Sequence, residues 1–311
     1  MQKIKITKKN SGQRLDKFLA QELNTSRNQI QKMVKSGQIL VNTKIARTAY
    51  KLCEKDVIEM VKKEIKKPTK KEAKIKAKKI NLKLKIVFEN NDFLVIEKPA
   101  GISVHPSETS QEKTLIDFVL EKYPKIAKVG EDPQRPGIVH RLDKNVSGLI
   151  VIAKNQDAFD HLKDQFKKRQ VKKEYTALVY GKIEKNEGEI DFHISRSKDG
   201  KMAASPKSQE LKKSKRAITE YEVIKGYQNY TLVKAMPKTG RMHQIRVHFY
   251  AFNHPIVGDE LYAQKKYKVK IKLKRLFLHS SHLEFFDMEN TLVKFDSPLP
   301  LALKNILKKL T

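Results

Sequence analysis

A single cysteine, Cys53, is all the thiol this chain has. One thiol closes no internal disulfide and supports no thiolate zinc cluster, so a reducing compartment, the cytoplasm, is expected. The opening MQKIKITKKN has no apolar core of signal-peptide length, and no later window approaches the ~18 apolar residues of a membrane span. There is no HExxH and no internal repeat. Acids are scarce: 35 Asp and Glu face 66 Lys and Arg, a formal net charge of +31. That excess points to a polyanion, nucleic acid before an anionic membrane surface or mere solubility. The 311 residues, at about 100–200 per domain, allow one large domain and a smaller module.

Basic residues divide unevenly, 55 Lys to 11 Arg, and Arg135, Arg141, Arg241 and Arg246 fall in two short segments. Arg offers a rigid two-toothed fork to phosphate or carboxylate that Lys cannot copy, so its placement in a Lys-rich chain suggests geometric demand.

Residues 1–61 read as a separate module. SGQRLDKFLAQEL puts Leu15, Phe18 and Leu19 at helical spacing, and SRNQIQKMVKSGQILVN offers a second helix between Ser26 as N-cap and Gly37 as C-cap. QILVN and DVIEM read as strands. Arg14, Lys17 and Arg27 on the polar faces give either an RNA-binding surface or a solvated charged face. The pattern resembles the S4 RNA-binding domain, with Lys55 where glycine is usual. Residues 62–80 are lysine-rich and self-repelling, and read as an extended or partly helical linker.

Residues 81–311 read as the large domain. Strands are expected at Ile86–Phe88, Phe93–Ile96, GLIVIAK, KEYTALVYG, AITEYEVIK and YTLVKAM, and helices at TLIDFVLEKY and AFDHLKDQF. Strands outnumber helices and many should pair antiparallel, so the class is α+β.

Two segments carry the chemistry. RPGIVHRLDKNVSGLIVIAKN sets Asp143 among cations ahead of an apolar run. A surface ion pair, a turn into a strand and a nucleophile in a cationic site all fit it. KTGRMHQIRVHFYAFNHPIVGDELYA predicts a turn at Pro237–Gly240 and a helix in which His243 and Arg246 are neighbours at i and i+3. His243 and His248 are five apart, off the face two zinc-binding histidines share, so no metal is expected. Arg246 is left as a fork in search of a carboxylate or phosphate.

Together with FLVIEKPAGISVHP and KKEYTALVYG, and with HPIVGDELYA, LFLHSSHLEF and FDSPLP following in order, these segments make the chain resemble the Rlu-type pseudouridine synthases, which act on large ribosomal RNA and related RNAs. The resemblance implies a monomeric, cofactor-free isomerase of uridines in structured RNA. Large-subunit ribosomal RNA is the first expectation, and transfer RNA or a catalytically silent S4-type assembly factor the alternatives. It implies Asp143 as the catalytic aspartate, Tyr175 as a stacking and proton-handling residue, Arg246 as the aspartate's partner, and His140, Arg141 and Arg241 as RNA-seating residues. Asn145, Val146 and Met242 depart from the usual pattern, as does the loop HPSETSQEKT. A glycoside hydrolase is disfavoured because no second carboxylate stands out as its acid.

Overall fold

The computed structural model describes residues 2–23, 25, 27–61, 82–106, 112–197, 199–206, 214–263, 267, 271, 273 and 275–310. The proposed cap Ser26, the 62–80 linker and part of the HPSETSQEKT loop lie outside these. The chain separates into two compact units, residues 1–77 and 78–311.

The first unit contains β1 (Gln2–Lys5), α1 (Leu15–Glu22), α2 (Arg27–Lys35), β2 (Ile39–Val41), β3 (Lys44–Ile45) and β4 (Val57–Met60), with the sheet in the order β1-β4-β2-β3. Leu15, Phe18 and Leu19 from α1 meet Ile30 and Val34 from α2 over Ile39, Val41 and Ile58, so the helical spacing reads out as one core. Lys55 stands at φ 72, the left-handed backbone that makes glycine usual there.

The second unit is a ten-stranded sheet flanked by helices. In chain order it contains β5 (Lys85–Glu89), β6 (Phe93–Lys98), α3 (Leu115–Lys122), β7 (Ser147–Ala153), α4 (Gln156–Lys168), β8 (Lys172–Tyr180), β9 (Glu187–Arg196), β10 (Met202–Pro206), β11 (Lys215–Gly226), β12 (Tyr230–Pro237), α5 (Gln244–Ala251), β13 (Leu278–Phe286), β14 (Leu292–Asp296) and α6 (Leu301–Leu307). The strand order is β10-β9-β11-β12-β8-β13-β7-β6-β5, with β14 beside β13. Among the described pairings only β7 with β13 is parallel. The class is therefore α+β with a mainly antiparallel mixed sheet. All seven residues of β7 are buried, as a β-branched run covered on both faces requires.

Candidate active site

Asp143 lies in the loop entering β7, and that loop is pinned on several sides. The Val146 N–H donates to the Asp143 carbonyl (3.1 Å), and the Lys144 carbonyl accepts from the Gly101 N–H (2.7 Å) and the Lys98 ammonium (3.2 Å). Lys98 is wholly buried and also donates to the carbonyls of Pro99 and Ile102, at 3.0 and 2.9 Å. Burial pulls its pKa down to about 7, although nearby Asp143 acts in the opposite sense. One ammonium thus ties the KPAG turn to the aspartate's loop. At the start of β7, Gly148 has φ 116, and a Cβ there would fall 2.1 Å from the Ser280 carbonyl oxygen. The close parallel crossing that fixes the base of the loop therefore admits only glycine.

The loop opens on a cavity of about 620 Å³, in the size range of small-ligand sites. Among the described residues lining it, Asp143 is the only acid, against seven Lys or Arg. Its Oδ2 accepts from Arg246 Nη1 at 3.0 Å and lies 3.9 Å from His243 Nε2.

Two expectations change here. The Arg246 fork does not grip Asp143. It grips Asp259, with Nε to Oδ2 at 2.7 Å and Nη2 to Oδ1 at 2.9 Å, leaving one N–H for Asp143. Asp259 also accepts the Leu261 and Tyr262 N–H groups, both at 3.0 Å, and its side chain is fully buried. Burial opposes the Arg246 charge, but Asp259 and then Asp143 outweigh it and hold the guanidinium above its ordinary value. Its carbon also sits 5.0 Å from the Tyr262 ring centre. Secondly, His243 stands outside the helix it was expected to share with Arg246. His243 is the N-cap of α5 in left-handed conformation, φ 56, with Nδ1 bonded to the Tyr262 hydroxyl at 2.8 Å. Burial lowers its pKa while Asp143 pulls it up. Gln244, buried beside it, ties the turn down by accepting from Thr239 Oγ1 (2.6 Å) and the Arg241 N–H (3.0 Å) and donating to the Ile218 carbonyl (2.9 Å).

Tyr175, on β8, lines the same cavity, and Ser280 is its partner in the sheet register. Burial raises its phenol above the ordinary range, against a hydrogen bond with the Ser280 side chain, so it stays protonated at neutral pH. His140 reaches the cavity wall but also serves the fold. Its Nε2 accepts the Val151 N–H at 3.0 Å, its ring stacks on Phe166 at 4.6 Å, and burial drives its pKa down to about 3, so it is a neutral imidazole. Arg141 is exposed, with Nη1 3.3 Å from His105 Nε2, and Arg241 reaches the Arg216 carbonyl at 3.4 Å. Six expected residues thus meet at one cavity. Asn145 is exposed in the turn and Val146 is buried.

Arg14, Lys17 and Arg27 lie in the other unit. Arg14 and Arg27 share Asp16, whose side chain is fully buried. Arg14 meets it through Nε and Nη2, both at 3.0 Å, Arg27 through Nη2 at 2.9 Å, and Gln31 joins at 2.7 Å. These bonds, led by Arg14, hold the Asp16 carboxyl well below the usual range. One carboxylate between two guanidiniums leaves a surplus positive charge at the surface beside exposed Lys17.

The model of the RNA pseudouridylate synthase family matches residues 92–251, a span holding Asp143, Tyr175 and Arg246. The chain belongs to that family. An S4 domain model matches residues 13–58, which include Arg14, Asp16 and Arg27. A protein of Aquifex aeolicus (strain VF5) named as an uncharacterized RNA pseudouridine synthase is 38% identical over 283 residues, covering 88% of this chain and 86% of its own. The ribosomal large subunit pseudouridine synthase D of Blochmanniella floridana is 34% identical, covering 96% of each. The solved structure of human RNA pseudouridylate synthase domain containing 1 superposes with a TM-score of 0.57 at 27% identity, covering 73% of this chain and 94% of its own. As a member of this family the chain is an RNA pseudouridine synthase, and its S4 domain is an RNA-binding module.

Proposed function

We propose that the enzyme isomerises discrete uridines in large-subunit ribosomal RNA, with Asp143 carrying the covalent step in a catalytic domain of residues 81–311, joined through residues 62–80 to an RNA-binding module of residues 1–61. The observation behind this reading is the lone carboxylate of a cationic cavity, held through one oxygen: Arg246 takes Oδ2, and Oδ1 has no partner among the described residues. In the reaction the N1–C1′ bond breaks, the base turns, a C5–C1′ bond forms, C5 loses a proton and N1 gains one, so no atom is added or removed. The two routes open to a carboxylate, attack on C1′ or on the pyrimidine ring, both need an ionised oxygen facing the substrate. Arg246 aims the Asp143 carboxylate, and Asp259 keeps Arg246 in plane. Tyr175 flanks the extruded base as a ring surface and a hydroxyl donor, a standing acid rather than a standing base. Large ribosomal RNA is favoured because a relative that matches over nearly the whole chain is named for it.

The test maps pseudouridine in large-subunit ribosomal RNA and transfer RNA from cells with and without the protein. Loss at a few ribosomal positions, restored by wild type and not by Asp143→Ala, is expected. Loss confined to transfer RNA would replace the assigned substrate, and restoration by Asp143→Ala would remove Asp143 from its role.

A further inference from the structure

Between residues 163 and 173 the positive side chains fall into two sets. Lys163, Lys168 and Lys172 each have an acid partner: Glu131, Asp164 at 2.7 Å and Glu284 at 2.8 Å. None of these three lines the cavity. Lys167, Arg169 and Lys173 do line it, and among the described residues none has a carboxylate within ion-pair distance. In a protein surface with acids to spare for the neighbours, cations left unpaired on one wall of a cavity mark a place kept for an anion.

Two of the three carry an additional sign. Arg169 is the C-terminal cap of α4 and stands in left-handed conformation, φ 62 and ψ 31. Helices ending this way usually place glycine or asparagine there, because a Cβ is strained in that conformation. The chain keeps arginine at a position where glycine would relieve strain, and the guanidinium lines the cavity mouth. Lys173 lies deeper, two residues before Tyr175 and therefore on the same face of β8. Its ammonium is 5.7 Å from the centre of the Phe166 ring, which also stacks with His140. The ring orients the lysine without neutralising it. Burial lowers its pKa to about 8, the cost of holding an ammonium there without a counter-ion.

We propose that Arg169 and Lys173 form a phosphate-binding wall of the active site, which holds the RNA backbone on either side of the nucleotide whose base faces Tyr175. The ligand is a phosphodiester oxygen. Lys173, on the inner part of the wall, takes the linkage nearest the extruded nucleotide, and Arg169, on the rim, takes one further along the strand. Their role is positioning: they hold the sugar in register with Asp143 and do not touch the reacting atoms.

This assignment rests on the cavity receiving RNA, so the test separates the two. Binding of a short fluorescein-labelled RNA stem-loop with loop uridines is measured against salt, using the full chain in the Asp143→Ala background, so that turnover plays no part. Arg169→Gly should weaken binding about three- to tenfold and reduce the slope of log affinity against log salt by about 1. Its melting temperature should stay level or rise, a combination that a merely structural arginine would not give. Lys173→Met should weaken binding similarly and Lys173→Arg restore it, while Lys168→Ala leaves affinity and slope unchanged. Arg169→Gly with wild-type affinity and slope would overturn the assignment. So would an equal loss from Lys168→Ala, which would reduce the effect to net charge. Lost turnover in the Asp143-containing enzyme with an unchanged salt slope would move the residues from backbone to base and overturn it as well. If the salt pattern holds while wild type modifies no ribosomal RNA, the wall stands and the substrate assignment falls.

Discussion

Arg246 holds two carboxylates at once, and the two bonds are not alike. The two-toothed grip on buried Asp259 sets the plane of the guanidinium, and the single N–H to Asp143 uses that plane. Replacing Arg246 by Lys keeps the charge and loses the plane. Each desolvated charge-assisted bond contributes about 1.5–3 kcal/mol, so the single-turnover rate should fall by roughly ten- to a hundredfold if the loss is felt in the transition state. Asp259→Asn should fall in the same range, because it turns an acceptor toward Arg246 into a donor. An exposed pair would cost only about 0–1 kcal/mol, so variants within twofold of wild type at saturating enzyme would refute the coupled pair. The sequence made Arg246 stand out as a fork with no partner, and the family resemblance supplied only Asp143. Asp259 was hidden because nothing local distinguishes it from Glu260 beside it. The available signal was the glycine before it: Gly258 has φ 78, and a Cβ there would meet the Arg275 carbonyl oxygen at 2.0 Å, a constraint that marks a turn built for close approach.

Helix α5 works with two faces. One turns Arg246 to the cavity, and another buries His248 against the sheet, its ring 5.9 Å from Phe192 and neither nitrogen partnered among the described residues. Burial lowers the His248 pKa from 6.5 to about 4, with Asp191 opposing. The folded chain then refuses a proton that the unfolded chain accepts below pH 6.5. Stability is therefore full above that pH and is lost as pH falls toward about 4. Melting temperature should be level from neutral pH to about pH 6.5 and decline below it, and His248→Met should flatten the decline, with no hydrogen bond sacrificed at neutral pH. An unchanged acid slope in the variant would place the sensitivity elsewhere, with half-buried His140 as the next candidate. The elements legible in the sequence were those with a clean period: β6, β7, β8, α3 and α4 all lie where apolar spacing put them. Strands β9 and β10 were not anticipated. In β9 the signal was present, because EIDFHIS alternates strictly, with Ile190 and Ile194 buried and Phe192 half-buried between exposed Glu189 and partly exposed Asp191 and His193. The polar stretch LHSSHLEFF of β13 hides a core strand because the His279 ring finds polar partners inside the fold: its Nδ1 is 2.9 Å from Ser147 Oγ and its Nε2 is 3.1 Å from the Ser297 carbonyl.

Over the whole molecule, the S4 domain and the cavity with Asp143 lie in separate units. Deleting residues 1–61 should therefore weaken affinity for long structured RNA and flatten its salt dependence, because every phosphate the module no longer neutralises lowers the slope by about one unit. Turnover of a short stem-loop at saturation should survive. An unchanged slope would show that the module neutralises no backbone phosphates.

The pairing of Gly148 with Ser280 joins residues that are distant along the chain, and β13 lies between β7 and β8, which are close in sequence. While the protein is being made, β7 and β8 leave the ribosome with the gap between them unfilled, and the aspartate's loop has no floor until β13 follows. Closure of that long loop is a slow, non-local event. A nascent chain thus has its S4 domain finished and able to hold RNA well before it has an active site, and no truncated product that stops short of β13 is an enzyme.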